Sequence, residues 1–348
     1  MTAGDKTGAQ RAAGRHRSSP EPWKKKVQFA IRRILLSLVG ALGLAAASGC
    51  ATRAAPDADP TAPRAIEVAS GVYMVQGSSG EVDLANQGRL GNAGFIVGDA
   101  GVIAIDSGTS YRHGQALLAE IARVTDKPVK LLLLTHARQE FIFGAAAFRE
   151  RGIPVQMQRK ASRLMTARCE GCLKTLNRVL GEEAMRGTVM FKPDTEFDAS
   201  YESGLIGRPV RVLYYGHSSG PGDIAVLDGR TGVLFAGGLL DQRRIPDVQD
   251  GEIDGWRQAL QALRGLPIRQ VVPGHGPVAS AALIDGVDRY LTQLESRLIE
   301  LTRADAALSE VPDAAGLPEF KDWDQYQTIH RRNASIVFVR MERDLLVR

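Results

Sequence analysis

The sequence predicts an α/β layered domain, and three observations carry that expectation. Short apolar runs alternate with amphipathic segments from about residue 72 onward, the pattern of strands and helices stacked in layers. Val129 and Leu131 to Leu134 form an unbroken apolar run, short enough for a strand buried on both faces of a parallel sheet. Three histidines, His136, His217 and His275, each follow an apolar strand, where α/β folds place their chemistry.

In chain order, Val72–Gln76 alternates as a half-buried strand does, and residues 86–94 (NQGRLGNAG) form a glycine-rich loop. Phe95–Val97 and Val102–Ile105 are buried strands around Gly98-Asp99-Ala100-Gly101, the second ending in Asp106-Ser107-Gly108. Gly114–Val124 is an amphipathic helix with Leu117, Leu118, Ile121 and Val124 inward. Val129–Leu134 follows, then Thr135-His136, a polar turn, and a helix over Phe141–Glu150. Ile153–Met157 is a strand and Ala161–Arg186 mainly helix. Val210–Tyr215 ends at Gly216-His217, and Asp228-Gly229 marks a hairpin between Asp223–Leu227 and Gly232–Phe235. Trp256–Arg264 is a helix, Gln270–Val272 a strand ending in Pro273-Gly274-His275-Gly276, and Ala279–Arg303 a long helix.

The first 49 residues stand apart. A basic stretch ending in Arg32-Arg33 precedes a short apolar run, Ile34–Ala47, that closes on Ala47-Ser48-Gly49-Cys50. This describes a secretory signal. A Cys after Ser-Gly resembles a bacterial lipobox, which makes Cys50 the lipidated first residue of the mature chain; an uncleaved anchor is the alternative, although the run is short for a spanning helix. Residues 50–65, rich in Ala, Pro and Asp, read as a tether. The leader holds nine of the 44 basic residues and two of the 39 acidic ones, so the remainder carries 35 against 37, a net charge of −2. The basic balance of the whole chain is therefore no argument for a nucleic-acid partner.

The residues 135–144, Thr-His-Ala-Arg-Gln-Glu-Phe-Ile-Phe-Gly, resemble the Thr-His-x-His-x-Asp-His-x-x-Gly signature of the metallo-β-lactamase fold. Ile105-Asp106-Ser107-Gly108, Gly216-His217, Leu234-Phe235-Ala236-Gly237 and Pro273-Gly274-His275-Gly276 extend the resemblance over about residues 66–277. Within the superfamily the chain is most similar to the quinoprotein relay system zinc metallohydrolases. That likeness rests on Asn86-Gln87-Gly88, Thr125-Asp126-Lys127-Pro128, Cys169-Glu170-Gly171-Cys172-Leu173, Arg244-Ile245-Pro246 and the tail residues Trp323, Tyr326, His330 and Asn333. The resemblance implies a four-layer αββα sandwich over 66–277, with a C-terminal helical extension, 278–348, packed on it. It also implies two zinc ions. Of the first ion's three histidines, two map to His136 and His217, and the third to Arg138. The second ion's Asp, His and His map to Glu140, Phe141 and His275, and the bridging Asp to Gly238. Arginine has no lone pair to give and stays protonated, and Phe and Gly offer a metal nothing. The loop after His217 is also longer than the family's.

A two-zinc hydrolase lowers the pKa of a shared water to roughly 7, and the missing ligands leave that water without a holder. Restoring them by Arg138→His, Glu140→Asp, Phe141→His and Gly238→Asp is expected to return two zinc ions. A one-metal site of His136, His217, His275 and either Glu140 or Asp241 is left open, as is pairing of Arg138 with Glu140, Asp106 or Asp241 in place of a metal. Asp106, Glu140 and Asp241 are the catalytic candidates. Cys169 and Cys172, the two cysteines after Cys50, are expected to form a disulfide outside the cytoplasm, with Gly171 bending the chain between them; inert thiols and a redox pair are the alternatives. His330 and His113 read as structural. Three functions follow: a periplasmic lipoprotein that binds a small molecule or a periplasmic protein at a decayed zinc site, an active hydrolase with an altered single-metal site, or a thiol-redox protein.

Overall fold

The computed structural model describes residues 64–346, so the leader, Cys50 and most of the tether lie outside the described residues. Two sheets form the centre. The first holds β1 (Ala65–Ala69), β2 (Val72–Val75), β3 (Ala93–Val97), β4 (Val102–Ile105), β5 (Val129–Leu134), β6 (Val155–Gln158) and β7 (Thr195–Phe197), in chain order. It is antiparallel as far as β4 and parallel from β4 to β7. The second holds β8 (Tyr201–Ser203), β9 (Val210–Tyr214), β10 (Ile224–Asp228), β11 (Val233–Phe235) and β12 (Gln270–Val272), antiparallel except where β11 and β12 pair.

Side-chain alternation along the strands sorts the core into layers. Leu131 and Leu133 join Ile103, Ile105, Val212, Val226 and Phe235 between the sheets. Leu132 and Leu134 face the other way, onto Leu117 and Ile121 of α1 (Tyr111–Val124) and Phe148. On the far side of the second sheet, Leu213, Leu227 and Leu234 meet Trp256, Leu260, Tyr290 and Leu294. The run at 131–134 is unbroken because both faces of β5 are covered. The result is four layers, helix–sheet–sheet–helix.

The helix expected over Phe141–Glu150 is two short ones, α2 (Gln139–Ile142) and α3 (Ala145–Glu150). The break is at Gly144, whose missing Cβ would lie 1.9 Å from the Ser107 carbonyl oxygen. α4 (Arg159–Met185) crosses the outer face of the first sheet and is interrupted at Gly181, where φ is +83°. Gly171 lies inside that helix and does not bend the chain as expected. α5 (Ile253–Arg264), α6 (Leu283–Arg303), α7 (Val311–Ala314) and α8 (Arg331–Leu346) make the outer layer of the second sheet. His330 is buried between the Tyr290 hydroxyl and the Ala315 carbonyl, 3.1 Å from each, and Nδ1 of buried His113 accepts the Thr109 N–H at 3.1 Å; both serve structure.

Candidate functional site

The carboxyl ends of β5, β11 and β12 converge on a cleft of about 460 Å³ lined by His136, Arg138, Glu140, Gly238, Asp241, Asp247 and His275, with Arg168, Cys169 and Cys172 of α4 on one wall. His136 follows β5 by two residues and is fully buried. Its Nδ1 lies 2.7 Å from Thr135 Oγ1, which donates to Asp106 Oδ2 at 2.7 Å, while the Thr135 N–H donates to Asp106 Oδ1 at 2.8 Å. Every group is satisfied when His136 carries its proton on Nδ1 and keeps a lone pair on Nε2. Burial, helped by the Arg138 charge, pushes His136 down to about 3, so the ring is neutral. Burial also pushes Asp106 up to about 7 against the Thr135 hydrogen bonds.

On the opposite side, His275 Nδ1 meets Asp241 Oδ1 at 2.8 Å. Its Nε2 is buried without a hydrogen-bond partner, 3.5 Å from Glu140 Oε1. Burial works against the imidazolium, yet the Asp241 and Glu140 carboxylates outweigh it and raise the His275 pKa. The effect on Glu140 is reciprocal: burial opposes its charge, but His275 and then Arg138 hold it at about 2. Asn92 fixes the His275 loop. Its Nδ2 donates to the carbonyls of Pro273 at 2.9 Å and Gly276 at 2.8 Å, and its Oδ1 accepts the Gly77 N–H at 2.9 Å.

Phe141 lies between the two histidines. Its fully buried ring is 4.2 Å from His136 and 5.2 Å from His275, centroid to centroid, the second contact edge-on. Gly91 makes room for it: a Cβ there would sit 2.6 Å from the ring. The Phe141 carbonyl accepts from Ser107, through N–H at 2.7 Å and Oγ at 2.9 Å.

Arg138 pairs with none of the three acids expected for it. Its Nη1 meets Asp247 Oδ2 at 2.5 Å, and Arg332 Nη2 meets the same oxygen at 2.6 Å. Burial opposes ionisation of Asp247, but the two guanidiniums hold its carboxyl well below the usual range. Asp247 adjoins the Arg244-Ile245-Pro246 motif, yet nothing in the sequence links it to a residue 109 positions away. Asp223 is the other acid that sequence reasoning missed. It is buried, accepts from Ser219 Oγ at 2.7 Å, and is pushed by burial up to about 6. The Gly-Asp step closing the long loop after His217 was its available signal.

The structure does not bring His217 into the cleft with His136 and His275. His217 is exposed, with Nε2 against the Asp250 carbonyl at 2.6 Å. At Gly238, a Cβ would lie 2.7 Å from Asp223 Oδ2 and 3.1 Å from His136 Cδ2, so the bridging position is crowded as well as empty of donors. Among the described residues no group of three or more His, Cys, Asp or Glu side chains could hold a metal ion. The two-zinc arrangement implied by resemblance does not fit this donor set: an arginine, a phenylalanine and a glycine replace ligands, and one histidine faces out. Cys169 and Cys172, expected to pair as a disulfide, are free thiols three residues apart on α4 in this structure.

Residues 86–275 match the metallo-beta-lactamase superfamily. A curated relative, the linear primary-alkylsulfatase of Pseudomonas sp. (strain ATCC 19151), is 24% identical over 231 residues, 56% of this chain and 43% of the relative. The chain thus spans less than half of that protein's length. Among solved structures, a metallo-beta-lactamase from Pontibacter korlensis is 19% identical with a TM-score of 0.55, covering 66% of this chain and 98% of its own. TMB-1 is 15% identical with a TM-score of 0.53, covering 67% and 98%. These two share the fold. With the sheet order, the strand-end cleft and a family match over more than half of its length, this chain belongs to the metallo-beta-lactamase superfamily.

Proposed function

We propose that this protein is a ligand-binding member of the hydrolase superfamily, lipid-anchored through Cys50 on the periplasmic side of a bacterial membrane, with a decayed zinc site and little hydrolysis. The observation that carries the reading is the Phe141 ring packed between His136 and His275, where an apolar side chain fills the space that a second metal ion would need. Arg138, held by Asp247, supports it, because a fixed guanidinium beside His136 repels a divalent ion. The ligand is a small organic molecule or a segment of a periplasmic protein that offers a hydrogen-bonding group to His275 Nε2.

Elemental analysis of protein isolated from its own host tests this, beside hydrolysis assays with a β-lactam, a thioester and a linear alkyl sulfate. Well under one zinc per chain after dialysis, with no turnover above background, is expected. Two bound zinc ions would overturn the reading. One observation favours a second reading, a hydrolase with a single metal: His275 Nε2 is buried, unpartnered and close to Glu140. That reading requires one zinc per chain, with activity lost to a chelator and returned by zinc.

A further inference from the structure

One wall of the cleft has no part in the reading above. α4 supplies it, with Arg168, Cys169 and Cys172. Residues three apart on a helix leave from the same face, so both thiols belong to one side of α4. Cys169 is 1% exposed, whereas Cys172 is partly open, with its Sγ 3.6 Å from the Arg168 carbonyl. Helical geometry sets Cα atoms of such a pair about 5 Å apart, inside the roughly 4.4–6.8 Å span of a disulfide. Their Cβ atoms, about 5–6 Å apart on a regular helix, must close to roughly 3.5–4.5 Å for a bridge, so the helix has to give between them. Gly171 costs about 1 kcal/mol in a helix interior relative to alanine. Nothing lies within 4 Å of the Cβ it lacks, so packing does not explain it; it gives the backbone slack between the two sulfurs.

We propose that Cys169 and Cys172 are a redox-active dithiol that reduces small disulfides admitted to the cleft, with Cys172 attacking and Cys169 resolving. The asymmetry of the pair assigns the roles. Cys172 can be reached from the cleft, and the neighbouring Cys169 thiol lowers its pKa. Cys169 is buried, and the neighbouring Cys172 thiol together with burial pushes its pKa up. The Cys172 thiolate attacks one sulfur of a disulfide RSSR. The S–S bond breaks, a Cys172–SR bond forms, and RS⁻ leaves and takes a proton. Cys169 then loses its proton and attacks the Cys172 sulfur, closing the Cys169–Cys172 bond and releasing the second RS⁻, which is protonated in turn. The dithiol gives up two electrons and two protons, and RSSR becomes two RSH. This chemistry uses neither His136 nor His275, so it stands or falls apart from the metal content.

The test begins with the purified full chain, reduced and freed of reductant. It is then exposed, folded, to excess oxidised glutathione or cystine and alkylated. Trypsin places both thiols on the single peptide of residues 169–174 and leaves Cys50 on another, so the pair is scored alone. Loss of both alkyl groups from that peptide, reversed by dithiothreitol without denaturant, is expected. Acid-quenched intermediates should carry glutathione on Cys172. Cys169→Ala should trap that adduct, and Cys172→Ala should lower labelling of the remaining thiol more than tenfold. Two thiols that stay alkylatable after oxidised glutathione would overturn the proposal, and so would a first adduct on Cys169. The quench experiment uses the natural chain, so it decides the matter even where Cys169→Ala fails to fold.

Discussion

Gly91 and Phe141 should be energetically coupled, because each occupies space that the other leaves. Phe141→Ala removes a fully buried ring wedged between two imidazoles, and should cost about 4 kcal/mol, within the range for phenylalanine truncation in a core. At roughly 2–4 °C per kcal/mol for a domain of this size, the melting temperature falls by about 10 °C. Gly91→Ala alone puts a methyl group 2.6 Å from Cε1 and Cζ of that ring. The Gly91 backbone φ is not in the left-handed region, so the whole penalty, about 2 kcal/mol, comes from overpacking. In the Phe141→Ala background the clash is gone and the methyl enters the vacated space, so Gly91→Ala should cost close to nothing. The double-mutant cycle, read by urea denaturation followed by circular dichroism, should give a coupling of about 2 kcal/mol in the rescuing direction. Additivity within about 0.5 kcal/mol would refute the placement of Phe141 against the glycine loop, and with it the argument that this ring fills the site.

Asp247→Ala strips the counter-charge from Arg138 and Arg332; because Arg332 is 44% exposed and can rehydrate, unfolding should show a loss of about 2 kcal/mol rather than the roughly 3–5 of a fully buried pair. Asp106, whose folded pKa is raised to about 7, contributes stability below pH 4 that is lost as pH rises to 7, whereas His136, lowered to about 3, contributes stability above pH 6.5 that is lost as pH falls. Asp106→Asn removes the first effect, so the stability–pH slope between about 4 and 6.5 should become more positive by up to about 1.4 kcal/mol per unit, and an unchanged slope in denaturation series would contradict the assignment. Cys50→Ala should release the protein from the membrane fraction or block its processing, and indifference of both would refute lipidation. The combined variant Arg138→His, Glu140→Asp, Phe141→His and Gly238→Asp should not bind two zinc ions, contrary to the sequence-based expectation, because His217 faces Asp250 and the Gly238 position is crowded by Asp223; two tightly held ions by elemental analysis would show that the loop swings back.

Strands with both faces covered were legible from sequence alone. Val102–Ile105 and Gln270–Val272 coincide with β4 and β12 residue for residue, because short apolar runs ending at turn residues mark them on both sides. β1, β7 and β8 were not predicted. They lie at sheet edges, carry Glu67, Glu196 and Glu202 on exposed faces, and have no apolar run to announce them. The break between α2 and α3 was invisible for another reason: Gly144 packs on Ser107, a contact between distant segments that local periodicity does not encode. In the site, the same-end placement of His136 and His275 was readable, and so was the presence of the non-ligating residues Arg138, Phe141 and Gly238. The outward turn of His217 was not. Strand position says where a side chain starts, and a loop longer than the family's leaves its direction free.

The altered residues behave as one repacked unit. Taking divalent ions out of a ring of carboxylates would leave Glu140, Asp223, Asp241 and Asp247 without compensation. In this chain three of them have an organic partner at hand. Asp247 has Arg138 and Arg332, while Asp241 and Glu140 flank the His275 ring, whose pKa they raise. Asp223 has no ion pair among the described residues, and it is the acid of this set that burial drives upward. Phe141 completes the exchange by taking up volume rather than charge. Reverting Arg138 to histidine alone would therefore remove a cation without admitting a metal, because Phe141 still separates the two histidines. Reverting Phe141 alone would open space beside a guanidinium that repels what the space was meant to hold. Arg138 and Phe141 thus oppose a metal by separate means, charge and volume, and changing either one alone leaves the other in force.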